Sequence, residues 1–110
     1  PQGSFVFSVE HPVFTALGTQ DWYYGEKHQK LHWPVDRYFT EGRREATFLG
    51  EKMVKYHKTL TTYLNGLLKQ GFSIKEIIEP EPSEKMLSEY AEMKDELRRP
   101  MMLLISAVKG

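Results

Sequence analysis

Two histidines in this sequence stand where a side chain could take part in proton transfer. His11 follows Glu10 at the end of the apolar stretch 5–9, whose β-branched and aromatic residues predict a strand. His57 lies just before the clearest predicted helix. Ligands of open α/β sheets bind beyond the carboxyl ends of the strands, so Glu10 and His11 lie where a ligand is expected. An imidazole suits this place because its ordinary pKa is close to neutral pH.

Each of these residues also has a structural interpretation, and the sequence leaves both open. His11 could act as a base or cap a loop carbonyl. His57 could reach a ligand pocket or cover the start of the helix, where the positive end of the helix dipole favours a neutral ring. Glu10 could orient His11, bind a polar ligand or form an ion pair at the end of the strand.

Aromatic residues are concentrated in the stretch 13–58. Trp22, Trp33 and Tyr38 could form the walls of a ligand pocket, or they could pack their rings in the core. Arg44 could hold a carboxylate or phosphate through its planar guanidinium fork, or it could pair with a neighbouring acidic residue. The stretch therefore predicts a small β-rich extension that packs on the core, covers a pocket, or does both.

Other kinds of site find little support in the sequence. His28 and His32 are spaced by four residues, but the pattern around them is not helical and no third ligand is evident, so we predict no metal site. The chain has no cysteine and no glycine-rich loop of the kind that cradles phosphates. Neither a reactive thiolate nor a nucleotide site is therefore predicted.

The overall composition argues against further classes of function. Fifteen basic and fifteen acidic side chains cancel, so neither a nucleic acid nor a membrane is an expected partner. The longest apolar run, 101–105, is far shorter than the roughly 20 residues that span a bilayer. The absence of cysteine and of a signal peptide predicts a cytoplasmic location. The length suits one domain, and the start at Pro1 predicts a fragment of a longer protein.

The predicted elements follow an α/β order. The apolar run 5–9 predicts a first strand that is covered on both faces. Thr59 and Gly71 suit the two ends of a helix whose leucines form one apolar stripe. The predicted order is strand 4–12, hairpins 20–24 with 30–35 and 44–48 with 52–57, helix 59–70, edge strand 72–79, a helical segment 83–98 in two pieces, and buried strand 101–108. The last strand follows a short connection, so we expect it to return antiparallel between the other two.

Four segments, read in order, carry a resemblance to a known family. They are Phe5-Val-Phe-Ser-Val-Glu-His-Pro12, Tyr56-His-Lys-Thr-Leu60 leading into Leu67-Leu-Lys-Gln-Gly-Phe72, Ile78-Glu-Pro-Glu-Pro82, and Arg99-Pro-Met-Met-Leu-Leu-Ile105. With these segments the chain resembles the C-terminal part of a class I S-adenosylmethionine-dependent methyltransferase. The resemblance implies that residues 1–110 form the C-terminal half of a Rossmann-like sheet, with strands five, six and seven and an antiparallel last strand. The β-rich aromatic insertion 13–58 would then be a cap over the methyl acceptor.

The same resemblance implies methyl transfer from S-adenosylmethionine to a small-molecule acceptor, with His57 or His11 as the base. The implied acceptor contacts are Glu10, Trp22, Trp33, Tyr38 and Arg44. The family holds its cofactor with an acidic-Gly-x-Gly-x-Gly loop and an acidic residue at the ribose, and this sequence contains neither. No cofactor-binding residue is therefore assigned here. The cofactor should be held mainly by residues absent from this chain, which alone should be inactive.

A second hypothesis comes from a different class of function. The chain could be a non-catalytic module that binds a ligand or a protein through its aromatic insertion. If the chain is instead a fragment, the sheet edge beside its first strand is open, which predicts self-association, most simply as a homodimer.

Overall fold

The computed structural model of this protein describes residues 3–48 and 50–109. The elements in chain order are β1 (Gly3–Glu10), α1 (Pro12–Thr15), β2 (Tyr23–Tyr24), β3 (Lys30–His32), β4 (Gly42–Phe48), β5 (Glu51–His57), α2 (Leu60–Lys69), β6 (Phe72–Ile78), α3 (Glu84–Glu89), a 3₁₀-helix (Ala91–Leu97) and β7 (Met102–Lys109). No helix within these two ranges is long and apolar enough to cross a membrane.

The main sheet has three strands in the order β1-β7-β6, and the last strand lies in the middle. It runs antiparallel to both neighbours, with Gly3 opposite Lys109 and Glu10 opposite Met102 along β1. The expected insertion of the last strand between the other two is therefore confirmed. Because side chains of a strand alternate between faces, Leu103, Ile105 and Ala107 share one face of β7, where they are fully buried.

The first strand differs from its prediction, because it is not covered on both faces. Phe5 is 42% exposed and Val6 is 68% exposed. Among the described residues β1 pairs only with β7, so its other edge is open. A cavity of about 340 Å³ also separates Phe5 and Phe7 from the α2 side chains Tyr63 and Leu67. The apolar run is thus a surface of this chain rather than its core.

The stretch 13–58 contains the two predicted hairpins as separate two-stranded sheets. The first is shorter than predicted, because pairing is confined to Tyr23 with His32 and Tyr24 with Lys30. Gln20 takes a left-handed conformation with φ 49°, which excludes it from a strand, and Pro34 has no N–H to continue the ladder. The second hairpin is regular, from Gly42 opposite His57 to Phe48 opposite Glu51.

The start of α2 is held by side chains from two parts of the chain. The Thr59 hydroxyl caps the helix by accepting the N–H of Thr62 at 3.2 Å, as predicted. The Glu41 carboxylate, which the sequence did not single out, accepts the N–H of Thr59 at 2.9 Å and the hydroxyl of Thr62. At the other end Gly71 has φ 88°, as expected for the residue that ends a helix. The helix is therefore tied to the segment that precedes β4.

We expect the stability of the fold to depend on the ionisation of Glu41. The hydrogen bonds from the Thr62 hydroxyl and the Thr59 N–H lower the pKa of Glu41 below its ordinary value of 4.5. The folded state therefore favours the carboxylate, and this stabilisation is present above pH 4.5 and is lost as pH falls through the lower, folded-state pKa. Glu41→Gln should be less stable than the parent at pH 7 in urea unfolding, and the two should converge as pH falls from 4.5 through the folded-state pKa of Glu41.

The matched control is Glu26→Gln, at an exposed position in the first hairpin. Its stability should follow the parent at every pH. A Glu41→Gln difference that stays constant from pH 7 to pH 3 would contradict the role of the ionised carboxylate.

Candidate functional site

Three segments meet at the edge of the main sheet that is formed by the ends of its strands. β1 and β6 end there and β7 begins there, since Glu10 lies opposite Met102 and Ile78 opposite Leu104. The N–H of His11 also donates to the carbonyl of Met101 at 2.8 Å. This edge contains the carboxyl ends of β1 and β6, where ligands of α/β sheets bind, and it brings together residues far apart in the sequence.

His11 is buried at this edge, and both of its ring nitrogens have partners. Nδ1 accepts the N–H of Val13 at 3.0 Å and so caps the short helix α1. Because Nδ1 accepts, the ring proton lies on Nε2, which donates to the carboxylate of Glu79. The cap is made to an N–H and not to a loop carbonyl. The catalytic role of His11 stays a prediction, and it would require Nδ1 to give up the helix cap.

His57 is fully buried and connects the insertion with α1. Its Nε2 lies 2.8 Å from the carbonyl oxygen of Tyr38, which can only accept, so Nε2 donates. Nδ1 lies within hydrogen-bond distance, 2.7 Å, of Oγ1 of Thr15. Both nitrogens are thus engaged within the protein. This geometry supports a positioning role, and the predicted role as a base is untested.

Glu10 forms an ion pair at the end of its strand. Both carboxylate oxygens lie 2.8 Å from Nζ of Lys55, and both side chains are about three-quarters buried. This pair matches one of the interpretations that the sequence left open. It also fastens the second hairpin to the end of β1.

Arg44 is held by backbone carbonyls, and its predicted contact with a ligand stays a prediction. Its side chain is buried, with the residue only 4% exposed, and its guanidinium donates to backbone carbonyls rather than to a carboxylate. The acceptors are the carbonyls of Ala16 at 2.7 Å, Arg37 at 3.0 Å, Thr40 at 2.6 Å and Arg43 at 3.3 Å. Of five N–H groups, one remains for any other partner. Burial lowers the pKa of Arg44, but a guanidinium stays charged.

Tyr38 supports the start of α2. Its hydroxyl oxygen accepts the N–H of Leu60 at 3.2 Å, at the first residue of α2. Its carbonyl accepts from His57, and its ring meets that imidazole edge to face at 5.6 Å. The predicted contact of Tyr38 with an acceptor stays a prediction.

Trp22 and Trp33 are brought together at the same edge of the sheet as His11. Their ring centroids lie 5.3 Å apart in an edge-to-face arrangement, and Trp33 stacks on Phe14 at 4.8 Å. The indole N–H of Trp33 donates to the carbonyl of Val13 at 3.2 Å, which fixes the ring. A cavity of about 310 Å³ is lined by Val13, Trp22, His32, Trp33, Arg98, Arg99 and Pro100, and we call it the tryptophan cavity.

The sequence analysis did not assign a role to two further residues at this end of the sheet, Arg99 and Glu79. Arg99 places its guanidinium 4.4 Å from the centroid of Trp33, and the carboxylate of Glu79 accepts the hydrogen bond from Nε2 of His11. The available signal was position, because Glu79 follows β6 and Arg99 precedes β7. A second cavity, of about 320 Å³, is lined by Glu79, Pro80, Glu81, Glu96, Leu97, Arg98, Arg99 and Pro100, and we call it the acidic cavity.

We expect Arg44→Lys to destabilise the protein by about 2 kcal/mol or more, because an ammonium cannot reach the same carbonyls in one plane and the unmatched ones stay buried. Denaturant unfolding measures the difference. The matched control is Arg43→Lys at the adjacent exposed position, whose guanidinium pairs only with Glu45 among the described side chains. That control should stay within about 0.5 kcal/mol of the parent. Equal losses in both variants would argue against the carbonyl network.

Comparison with known proteins gives relatives for nearly the whole chain. A solved structure from Listeria monocytogenes, described as an S-adenosylmethionine-dependent methyltransferase, is 62% identical over 99% of the chain with a TM-score of 0.92. A structure from Mesorhizobium loti with the same description is 40% identical over 99% of the chain with a TM-score of 0.84. An uncharacterised protein from Haemophilus influenzae is 31% identical over 97% of the chain.

The chain spans only part of these relatives. It covers 49% of each of the two solved chains and 42% of the Haemophilus influenzae protein. No protein-family model matches the chain. The resemblance noted in the sequence is nevertheless confirmed by the two solved structures, in both identity and fold.

Proposed function

We propose that the intact protein methylates a small-molecule acceptor, because this chain is similar to about half of each of two solved S-adenosylmethionine-dependent methyltransferases. In this proposal the chain is the C-terminal part that holds the acceptor. The observation that carries the proposal is the 62% identity with a TM-score of 0.92 over 99% of the chain. A shared fold alone would leave the function open, whereas identity at this level favours related chemistry.

The acceptor site that we propose is the sheet edge with the tryptophan cavity. Methyl transfer is an in-line displacement, in which alignment of the acceptor supplies much of the catalysis. Trp22 and Trp33 would hold the body of the acceptor. Where the acceptor must lose a proton, we assign the uptake to Glu79, whose side chain is 55% exposed and lines the adjoining cavity, which shares Arg99 with the tryptophan cavity. His11 would then be a positioning residue that donates to this carboxylate.

The described residues do not fit the cofactor. The glycines are dispersed and form no cradle of backbone N–H groups. Gly18 is needed for packing, because an added Cβ would lie 2.9 Å from the carbonyl oxygen of Glu45. Gly42, Gly50 and Gly71 have left-handed φ values and serve turns or a helix end. We therefore propose that S-adenosylmethionine is held mainly by residues outside this chain, and we derive no step of the reaction through it.

The proposal predicts where S-adenosylhomocysteine, the demethylated cofactor, will bind. Calorimetric titration should show binding to the intact protein. The isolated chain 1–110 should bind at least about 100-fold more weakly, because it lacks a glycine loop. Equal affinity for the chain alone would contradict the division of roles. An intact protein that does not bind S-adenosylhomocysteine would reject the methyltransferase proposal in favour of a binding module.

We also propose that the isolated chain self-associates through the open edge of β1, whose unpaired N–H and C=O groups can extend the sheet. Sedimentation velocity at rising concentration should show a dimer or larger species. Val6→Lys places a charge on this edge and should shift the chain toward monomer. Val54→Lys in the second hairpin is the matched control at another exposed valine and should leave the association unchanged. A strictly monomeric parent at high concentration would contradict this proposal.

A further inference from the structure

We propose that Arg99 binds a carboxylate of the acceptor, through a side of its guanidinium that the protein leaves free, with the rest of the acceptor in the tryptophan cavity. This inference rests on the proposed function for the identity of the ligand as a methyl acceptor. The binding site itself rests only on the geometry of Arg99.

One side of the Arg99 guanidinium is already occupied. Nη1 and Nη2 donate to the two oxygens of Glu96 at 2.8 Å and 3.2 Å, which is the end-on bidentate arrangement. A guanidinium has a second fork, made by Nε and the neighbouring Nη, and it matches the two oxygens of a carboxylate in the same way. The pair with Glu96 leaves that second fork unused.

The second fork contains an unsatisfied donor. Nε of Arg99 is buried and makes no hydrogen bond to any described group. The side chain as a whole is only 7% exposed. A buried N–H without an acceptor is unfavourable, so a ligand oxygen that reaches it gains a hydrogen bond and removes that penalty. An anionic acceptor gains most, because the hydrogen bond is then charge-assisted.

The rings around Arg99 keep the guanidinium in place. It lies 4.4 Å from the centroid of Trp33, 5.0 Å from that of Phe14 and 5.2 Å from that of Trp22. These cation–π contacts, together with the pair to Glu96, restrict the plane of the fork before a ligand arrives. The indole rings also offer apolar walls for a planar or apolar ligand body.

The charges around the two cavities decide from which side an anion approaches. On the tryptophan cavity, Arg98 and Lys30 share the single carboxylate of Asp95, at 3.2 Å and 3.0 Å, which leaves one positive charge in excess. The acidic cavity is lined by three glutamates, Glu79, Glu81 and Glu96, and by two arginines, Arg98 and Arg99, so negative charge is in excess there and disfavours an anion. The carboxylate therefore enters from the tryptophan cavity, whose volume of about 310 Å³ suits a small molecule.

The test uses the intact protein and benzoate as the probe, with benzamide as its neutral counterpart and inorganic phosphate as a non-planar anion. Nuclear magnetic resonance titration of the indole N–H signals, assigned with Trp22→Phe, reports binding at the cavity. Benzoate should shift these signals and bind at least about tenfold more tightly than benzamide or phosphate. Equal affinity for benzoate and benzamide, or no binding of benzoate at millimolar concentration, would overturn the inference.

Two variants of opposite expected effect test the role of Arg99. Arg99→Lys keeps the positive charge and loses the fork, so benzoate affinity should fall at least about tenfold. Glu96→Gln removes a negative charge beside the guanidinium, so benzoate affinity should rise. Arg43→Lys is the matched control at an exposed arginine and should bind benzoate as the parent does. Because Arg99→Lys could fold poorly, Glu96→Gln decides alone in that case, and an unchanged or lower affinity would overturn the inference.

This outcome is separable from that of the proposed function. Binding of S-adenosylhomocysteine without binding of benzoate would leave the methyltransferase proposal intact and reject the carboxylate site. Benzoate binding that depends on Arg99, in a protein that does not bind S-adenosylhomocysteine, would do the reverse.

Discussion

The structure depends on the antiparallel insertion of β7 between β1 and β6. The pairing with β1 extends from Gly3 to Glu10, and β6 pairs along the other side of the same strand. Because β7 runs against its neighbours, the segment that precedes it emerges at the edge where the other two strands end. The central position of β7 thereby brings Arg99 beside His11 and Glu79, although these residues are separated by up to 88 positions in the sequence.

A second constraint is the buried polar network that holds the aromatic stretch 13–58 on this sheet. Arg44 binds carbonyls from α1 and from the loop before β4, and His57 joins Thr15 to the carbonyl of Tyr38. These bonds hold irregular backbone whose polar groups would otherwise be buried without partners. The stretch 13–58 therefore has little apolar core of its own, and polar side chains stabilise it. From the sequence alone, such side chains are easily interpreted as ligand contacts.

Periodicity and turn chemistry made much of the fold predictable. The cap at Thr59, the end of α2 at Gly71 and the central place of the last strand all follow from local patterns and short connections. The exposure of β1 did not follow, since an apolar run indicates burial, whereas Phe5 and Val6 are exposed. The partners of Arg44 could not be predicted either, because no sequence pattern indicates which backbone carbonyls a loop brings close to a side chain.

A binding site is recognised by different features from those that predict the fold. Arg44 and Arg99 are the same residue type, and both are largely buried. Four N–H groups of Arg44 donate to backbone carbonyls, whereas Arg99 retains a buried N–H without a partner among the described residues. Burial alone therefore does not separate a structural arginine from a binding one. The distinction lies in the N–H donors that have no acceptor within the protein. At such a buried donor, a ligand can form a hydrogen bond that is more favourable than one to water.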